Sequence, residues 1–204
     1  MRIDRVILRS VLSTLAAILV MFAITLLALC FIYPSTMMHV TYDLGMDKAS
    51  VKYAMRAYNR LDEVYYVAFA TETAIGDDND EKIEECGLAF IANEHFVEYC
   101  QTRNEQLPQG VEGSYQQYVY GQVCLAQYRQ DKKATAVTTA VAALQSGEGY
   151  IFPANNAFVA LSLTVLMQED TATLTKLKEK MGEIASVVSP SDRACFDALF
   201  AMLG

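Results

Sequence analysis

The chain has 204 residues, 53% of them hydrophobic, and carries 24 acidic against 16 basic side chains for a net charge of −8. That length supports one domain with a core of its own, and the acidic balance argues against nucleic acid and anionic lipid head groups as partners. Only four prolines and no tryptophan, with abundant Ala, Leu, Glu and Gln and 12 tyrosines, point to an all-α chain and away from a β-sandwich.

The first element is a run from Val11 to Ile32 without a charge, interrupted only by Ser13, Thr14, Thr25 and Cys30 among the polar or thiol side chains. A bilayer core of about 30 Å needs about 20 such residues in a helix, so the run reads as a transmembrane helix. Arg2, Arg5 and Arg9 precede it, with Asp4 the single acid, and the first base after it is Lys48. Positive charge stays cytoplasmic, so the expected topology is a single pass through the plasma membrane with the N-terminus inside and the rest exported. A secretory leader has the same polarity but a shorter apolar core and small residues at its end. Here the run closes on Leu29-Cys30-Phe31-Ile32-Tyr33-Pro34, and Leu29 stands where a lipoprotein signal takes Gly or Ala before its cysteine. A retained anchor is therefore expected rather than cleavage or lipidation at Cys30. Three arginines and one aspartate lie before Pro34, so removing them from the total of −8 leaves the exported part at −10.

Pro34 should end or bend this helix, and residues 34–46 read as a connector. Asp47 is placed to cap one long helix from Lys48 to Ile75, with Val51, Ala54, Met55, Tyr58, Leu61, Tyr65, Ala68 and Phe69 on its buried side. Gly76-Asp77-Asp78-Asn79 turns the chain, and Asn79 or Asp80 caps a helix to Ala92. A further segment, Glu94 to Gln106, continues that helix or breaks from it near Asn93. Leu107 to Gly113 is the clearest breaker. Ser114 caps a helix to Arg129, and Asp131 caps another to Gln145. After the Gly147–Pro153 loop, Asn155 to Gln168 is apolar nearly all round and is expected at the centre of the body. Asp170 caps Thr171 to Ser186, and Ser189-Pro190-Ser191-Asp192 starts the last helix. The organisation is thus a tail (1–10), an anchor (11–33), a connector (34–46) and an extracytoplasmic helical body (47–204), with 107–114 either dividing the body or forming one long loop.

Three helix pairs share a tight polar turn, at Gly76 to Asn79, Arg129 to Lys132 and Glu169 to Thr171. With Gly121, Cys124, Ala134, Val137 and Ala140 in one stretch, and Tyr65, Ala68, Ala74 and Phe90 in another, the pattern resembles tetratricopeptide-like helical repeats over residues 50–187. The spacing is not a constant 34, and the aromatic-Leu-Gly signature and the closing proline are missing. The resemblance implies an α-α superhelix with a partner-binding face and no catalytic residue.

Chemistry is sparse. His95 lies between Glu94 and Glu98 without a further ligand at metal spacing, and His39 has no partner nearby in sequence. Counted from Asp77, the sixth and twelfth positions of a calcium loop would be Lys82 and Leu88 instead of Gly and Glu, so the acids read as helix caps. Cys86, Cys100, Cys124 and Cys195 have no metal or redox spacing. They read as buried free thiols, with one or two disulfides as the alternative on an oxidising side. No cofactor, metal or enzyme activity is expected. Tyr115, Tyr118, Tyr120 and Tyr128, with Gln116, Gln117, Gln122, Gln127 and Gln130, are the candidate partner-binding surface, with a role as core filler as the competing reading. The leading expectation is an anchored scaffold that binds a protein or peptide. The alternatives are a membrane-complex subunit that assembles through Ser13, Thr14, Ala16, Ala17, Ala23 and Thr25, and a ligand sensor or enzyme with a rim at Gly147–Pro153 and Asn155-Asn156.

Overall fold

A computed structural model describes residues 3–106, 113–146 and 156–203, and every regular element among them is a helix. The long apolar run forms α1 (Ile3–Ile32), and every side chain from Ile7 to Leu27 is exposed. It is the one described helix long and apolar enough to cross a membrane, and no residue of its most apolar stretch is buried by protein. Its ladder ends because Pro34 has no N–H to donate. The chain does not become irregular there: Pro34 takes the first position of a new helix, α2 (Pro34–Asp43), where its missing donor costs nothing. The segment expected as a connector is therefore helical, and Met38 on it is fully buried.

The expected long helix from Lys48 to Ile75 is two helices, α3 (Asp47–Leu61) and α4 (Val64–Gly76). Asp62 stands between them in the left-handed region at φ 55, a conformation Asp tolerates better than most residues. The break resets the phase. Val51, Ala54 and Ala57 face inward on α3, and Val67, Ala68, Ala70, Thr71 and Ala74 on α4. Asp47 is the first residue of α3 and makes no side-chain cap. α5 (Asp80–Ile91) follows under the Asn79 cap, and the chain breaks near Asn93 before α6 (Phe96–Glu105). α7 (Tyr115–Arg129), α8 (Lys133–Gln145), α9 (Ala157–Met167), α10 (Thr171–Val187) and α11 (Pro190–Leu203) complete the body. Ser114, Asn156 and Asp170 cap α7, α9 and α10. Asp131 does not cap α8.

One turn design recurs four times. Gly45, Asp78, Asp131 and Glu169 all have positive φ immediately after a helix. In each, the next amide bonds back five residues: Met46 to Thr41, Asn79 to Ala74, Lys132 to Gln127 and Asp170 to Val165, at 2.8–3.2 Å. The turn amide itself bonds back three, as in a Schellman cap. The three polar turns legible in the sequence are thus one structure. They reverse α4 into α5, α7 into α8 and α9 into α10.

Consecutive helices pack side by side from α2 through α5; α5 then packs on α7, which also contacts α6, α8 and α9. The centre of the body is shared by α7 and α9, because α9 in turn packs on α7, α8, α10 and α11. Phe158, Leu161 and Val165 of α9 are buried, but Leu163, Leu166 and Met167 are exposed. One core joins Phe90, Phe96, Val119, Phe158, Leu161, Leu177, Met181 and Phe196; a second, smaller one joins Met38, Val51, Ala54, Ala70, Ala74, Ile83 and Cys86. α5 and α7 approach most closely at Gly87, where an added Cβ would lie 2.3 Å from Val123 Cγ2. Val123 is fully buried and β-branched, so it has little room to yield. Gly87→Ala should lower stability in chemical denaturation by about 1–3 kcal/mol from overpacking, despite the better helix propensity of Ala. Val123→Ala in the same chain should recover part of that loss.

Candidate functional site

α4 carries Tyr65, Phe69 and Glu72 at spacings of four and three, which places them on one face. α2 brings His39 and Tyr42 against the same face. The Phe69 ring lies 5.2 Å from Tyr42, 6.2 Å from His39 and 6.3 Å from Tyr65, with edge-on or tilted geometry. Tyr42 and Tyr65 are nevertheless 49% and 43% exposed. A cavity of about 230 Å³ opens here, lined by Tyr42, Asp47, Phe69, Glu72, Thr73 and Gly76.

Glu72 ties this face to the centre of the body. Its carboxylate accepts Arg103 Nη2 at 3.0 Å and also the Tyr115 hydroxyl. The Arg103 guanidinium lies 5.4 Å from the Tyr115 ring centre, and Tyr99 and Tyr118 continue the row at 6.4 and 6.1 Å from Tyr115. Burial, then the bond to Glu72, pushes the Tyr115 hydroxyl well above the ordinary phenol range, and burial raises Tyr99 as well. Both stay neutral donors at any physiological pH. The cavity offers an aromatic wall and the Asp47 carboxylate, with Glu72 shared between it and Arg103, a chemistry suited to holding a cationic or amide side chain.

The four tyrosines singled out from the sequence do not form one face. Tyr115 and Tyr118 are half-buried beside this site. Tyr120 and Tyr128 are buried because α7 is enclosed by its neighbours. Tyr120 packs edge-on against Phe96, and Tyr128 donates to Asp170 Oδ2 at 3.2 Å. Two of the glutamines are also interior. Gln117 donates to the Ala143 carbonyl at 2.8 Å and accepts from the Ala157 amide, joining α7 to α8 and α9. Gln127 accepts from Thr139 at 2.8 Å. His39, Tyr42 and Glu72 were missed. Of the two aromatics expected on the buried side, Phe69 is half-buried against the smaller core, whereas Tyr65 is exposed because the break at Asp62 shifts the phase. Aromatics at 65 and 69 beside a short helix of their own would have been the signal.

Elsewhere the polar candidates are structural. Asn79 accepts from the Lys82 amide, and Asp80 accepts Arg129 Nε at 2.8 Å. His95 is exposed between Glu94 and Glu98. No group of three or more metal-ligating side chains occurs among the described residues. Asn156 is buried and caps α9, whereas Asn155 and the Gly147–Pro153 loop lie outside the described residues. Arg2 also lies outside them, Arg5 falls within α1, and Arg9 is exposed. Asp170 gathers the Thr173 hydroxyl and amide, Lys133 and Tyr128, and the bonds from Thr173 and Lys133 hold its carboxyl well below the usual range. The chain matches no known family model, curated protein or solved structure.

All five cysteines are free; Cys86, Cys100 and Cys124 are buried, and Cys195 is exposed. Burial pushes each of the three buried thiols up to about 12. Their protonated form is favoured in the fold, so their contribution is complete below the unfolded value of about 8.5 and is lost as pH rises towards the folded value. Stability should therefore fall above about pH 8.5, by about 1.4 kcal/mol per unit for each thiol at the limit. Denaturant titrations of wild type and a triple Cys→Ala variant at 86, 100 and 124 check this: the variant should show the shallower slope. In the native protein, maleimide should label Cys195 and spare these three.

Proposed function

We propose that this protein is a single-pass membrane anchor carrying a helical scaffold that binds a protein or peptide through the aromatic face of α2 and α4. The observation that carries the reading is the exposed, largely apolar surface of α1 from Ile7 to Leu27. Retention of α1, rather than cleavage as a leader, is supported by how the body holds its end. Arg60 Nη1 donates to the Ile32 carbonyl at 2.7 Å, Tyr53 donates to Cys30 Sγ at 3.1 Å, and Arg56 lies 5.8 Å from the Phe31 ring centre. The first of these satisfies a carbonyl at a helix end. The membrane is the plasma membrane, and the flanking arginines favour an internal N-terminus with the body outside.

The repeated Schellman turns support a tetratricopeptide-like stack of the hairpins α4–α5, α7–α8 and α9–α10. The partner chemistry follows from the site: Asp47 beside Tyr42 and Phe69, with Glu72 shared with Arg103, on an exported part of net charge −10, suits a segment with an exposed Lys or Arg. Assembly through α1 itself has less support. The hydroxyls of Ser13, Thr14 and Thr25 already bond to carbonyls of their own helix at 2.9–3.0 Å, which removes the polar demand for a second helix.

A photo-crosslinking residue at Tyr42 or Tyr65 tests the scaffold reading in intact membranes. A discrete protein adduct is expected, reduced at least tenfold by Phe69→Ala and Glu72→Gln and unaffected by a change at exposed Met167. Absence of any adduct at both positions, together with an unaccompanied protein after mild detergent extraction, would contradict it.

A further inference from the structure

The acidic balance of the body conceals one face of opposite sign. Lys48, Lys52, Arg56 and Arg60 stand four residues apart along α3, and all four are exposed. At 3.6 residues per turn they cover about one third of the helix circumference, along about 18 Å. That face lies opposite Val51, Ala54 and Ala57, which point into the body. No carboxylate of α3 shares it; between the cations lie Ala49, Tyr53 and Asn59. None of the four belongs to an ion pair among the described residues, although acids outnumber bases in the body. Asp77 borders a small cavity together with Lys48 without pairing with it. By contrast, Arg103, Arg129, Lys132, Lys133 and Lys180 all meet carboxylates.

The position of the stripe is as unusual as its charge. Its Arg60 end holds the last carbonyl of α1, and Arg56 sits over Phe31. The uncharged run Val11–Ile32 measures about 33 Å, slightly longer than a hydrocarbon core of about 30 Å. Its last turn therefore reaches the head-group layer, and Tyr53, Arg56 and Arg60 of α3 meet it there.

We propose that the α3 stripe is a binding surface for the phosphates of anionic phospholipids in the leaflet from which α1 emerges, so that the body lies on the membrane instead of swinging from its anchor. The proposal rests on the reading of α1 as a retained span. Charge complementarity carries it: four uncompensated cations face a layer of fixed phosphates, and each basic residue near such a surface contributes about fivefold in affinity. Net charge argued against anionic lipid, but the local arrangement reverses that argument on this one face.

The test uses the full chain in detergent micelles, with phosphatidylglycerol or phosphatidylcholine added and bound lipid counted by native mass spectrometry. Wild type should prefer phosphatidylglycerol, and high salt should weaken the preference. Arg56→Gln/Arg60→Gln should lose it, but those residues also contact α1. Lys48→Gln/Lys52→Gln is the cleaner variant, with an expected loss on the order of twentyfold and an unchanged melting curve. Equal binding of the two lipids by wild type, or an undiminished preference in Lys48→Gln/Lys52→Gln, would overturn the proposal. So would a variant that keeps its lipid preference but loses a co-purifying acidic protein, which would assign the stripe to that partner. Alkaline extraction of the same membranes reads the anchor separately: release of the wild type would remove the anchor reading, whereas a retained chain without lipid preference would remove the stripe alone.

Discussion

A helix whose apolar side chains from Ile7 to Leu27 are exposed must find another apolar medium. Burying one Leu, Ile, Val, Phe or Met side chain is worth about 1.5–3 kcal/mol. Along Ile7–Ile32 that sums to tens of kcal/mol, more than the whole net stability of an ordinary domain. No rearrangement of the body could cover such a length, because α1 meets the rest of the chain only near its last turn. The other features follow from that constraint. Pro34 ends the span and starts the next helix in one step, and α2 carries Met38 into the smaller core. α3 then turns back to hold the end of α1 through Tyr53, Arg56 and Arg60. The joint between anchor and body is therefore packed and hydrogen-bonded.

Inside the body, α7 plays the equivalent part. It is the least amphipathic in appearance, rich in Tyr and Gln, yet it packs on α5, α6, α8 and α9. Its polar side chains work inward: Gln117 bridges the end of α8 and the start of α9, and Gln127 meets Thr139 and Glu84. Buried amides with both ends satisfied fix the register of neighbouring helices without the cost of an orphaned polar group. Around α7 the same turn is used again and again, with Asp or Glu in the left-handed position where Gly is the commoner choice.

Helix existence was largely legible because it depends on local signals: Asn79, Ser114 and Asp170 as caps, Pro190 at a first position, and polar turns between apolar runs. What was not legible depended on tertiary context. The break at Asp62 has no Gly or Pro to announce it, and missing it carried Tyr65 into the core on paper. α9 reads as the most buried helix by composition, but Leu163, Leu166 and Met167 face outward. The tyrosines of α7 reach the core because neighbours enclose them, and no periodicity reports enclosure. Lys48, Lys52, Arg56 and Arg60 are plain in the sequence, but their spacing does not say what their face meets. Only the contact of Arg56 and Arg60 with the end of α1 gives that face a location.

The central claim is that α1 stays joined to the body and holds it at a membrane. The intact mass of the protein purified from membranes tests this most directly. A mass that includes α1, in protein recovered only with detergent, is the expected result. A chain beginning between Cys30 and Pro34, or a lipid adduct on Cys30, would contradict it, because either form gives up the covalent joint that Arg60 and Pro34 are built around.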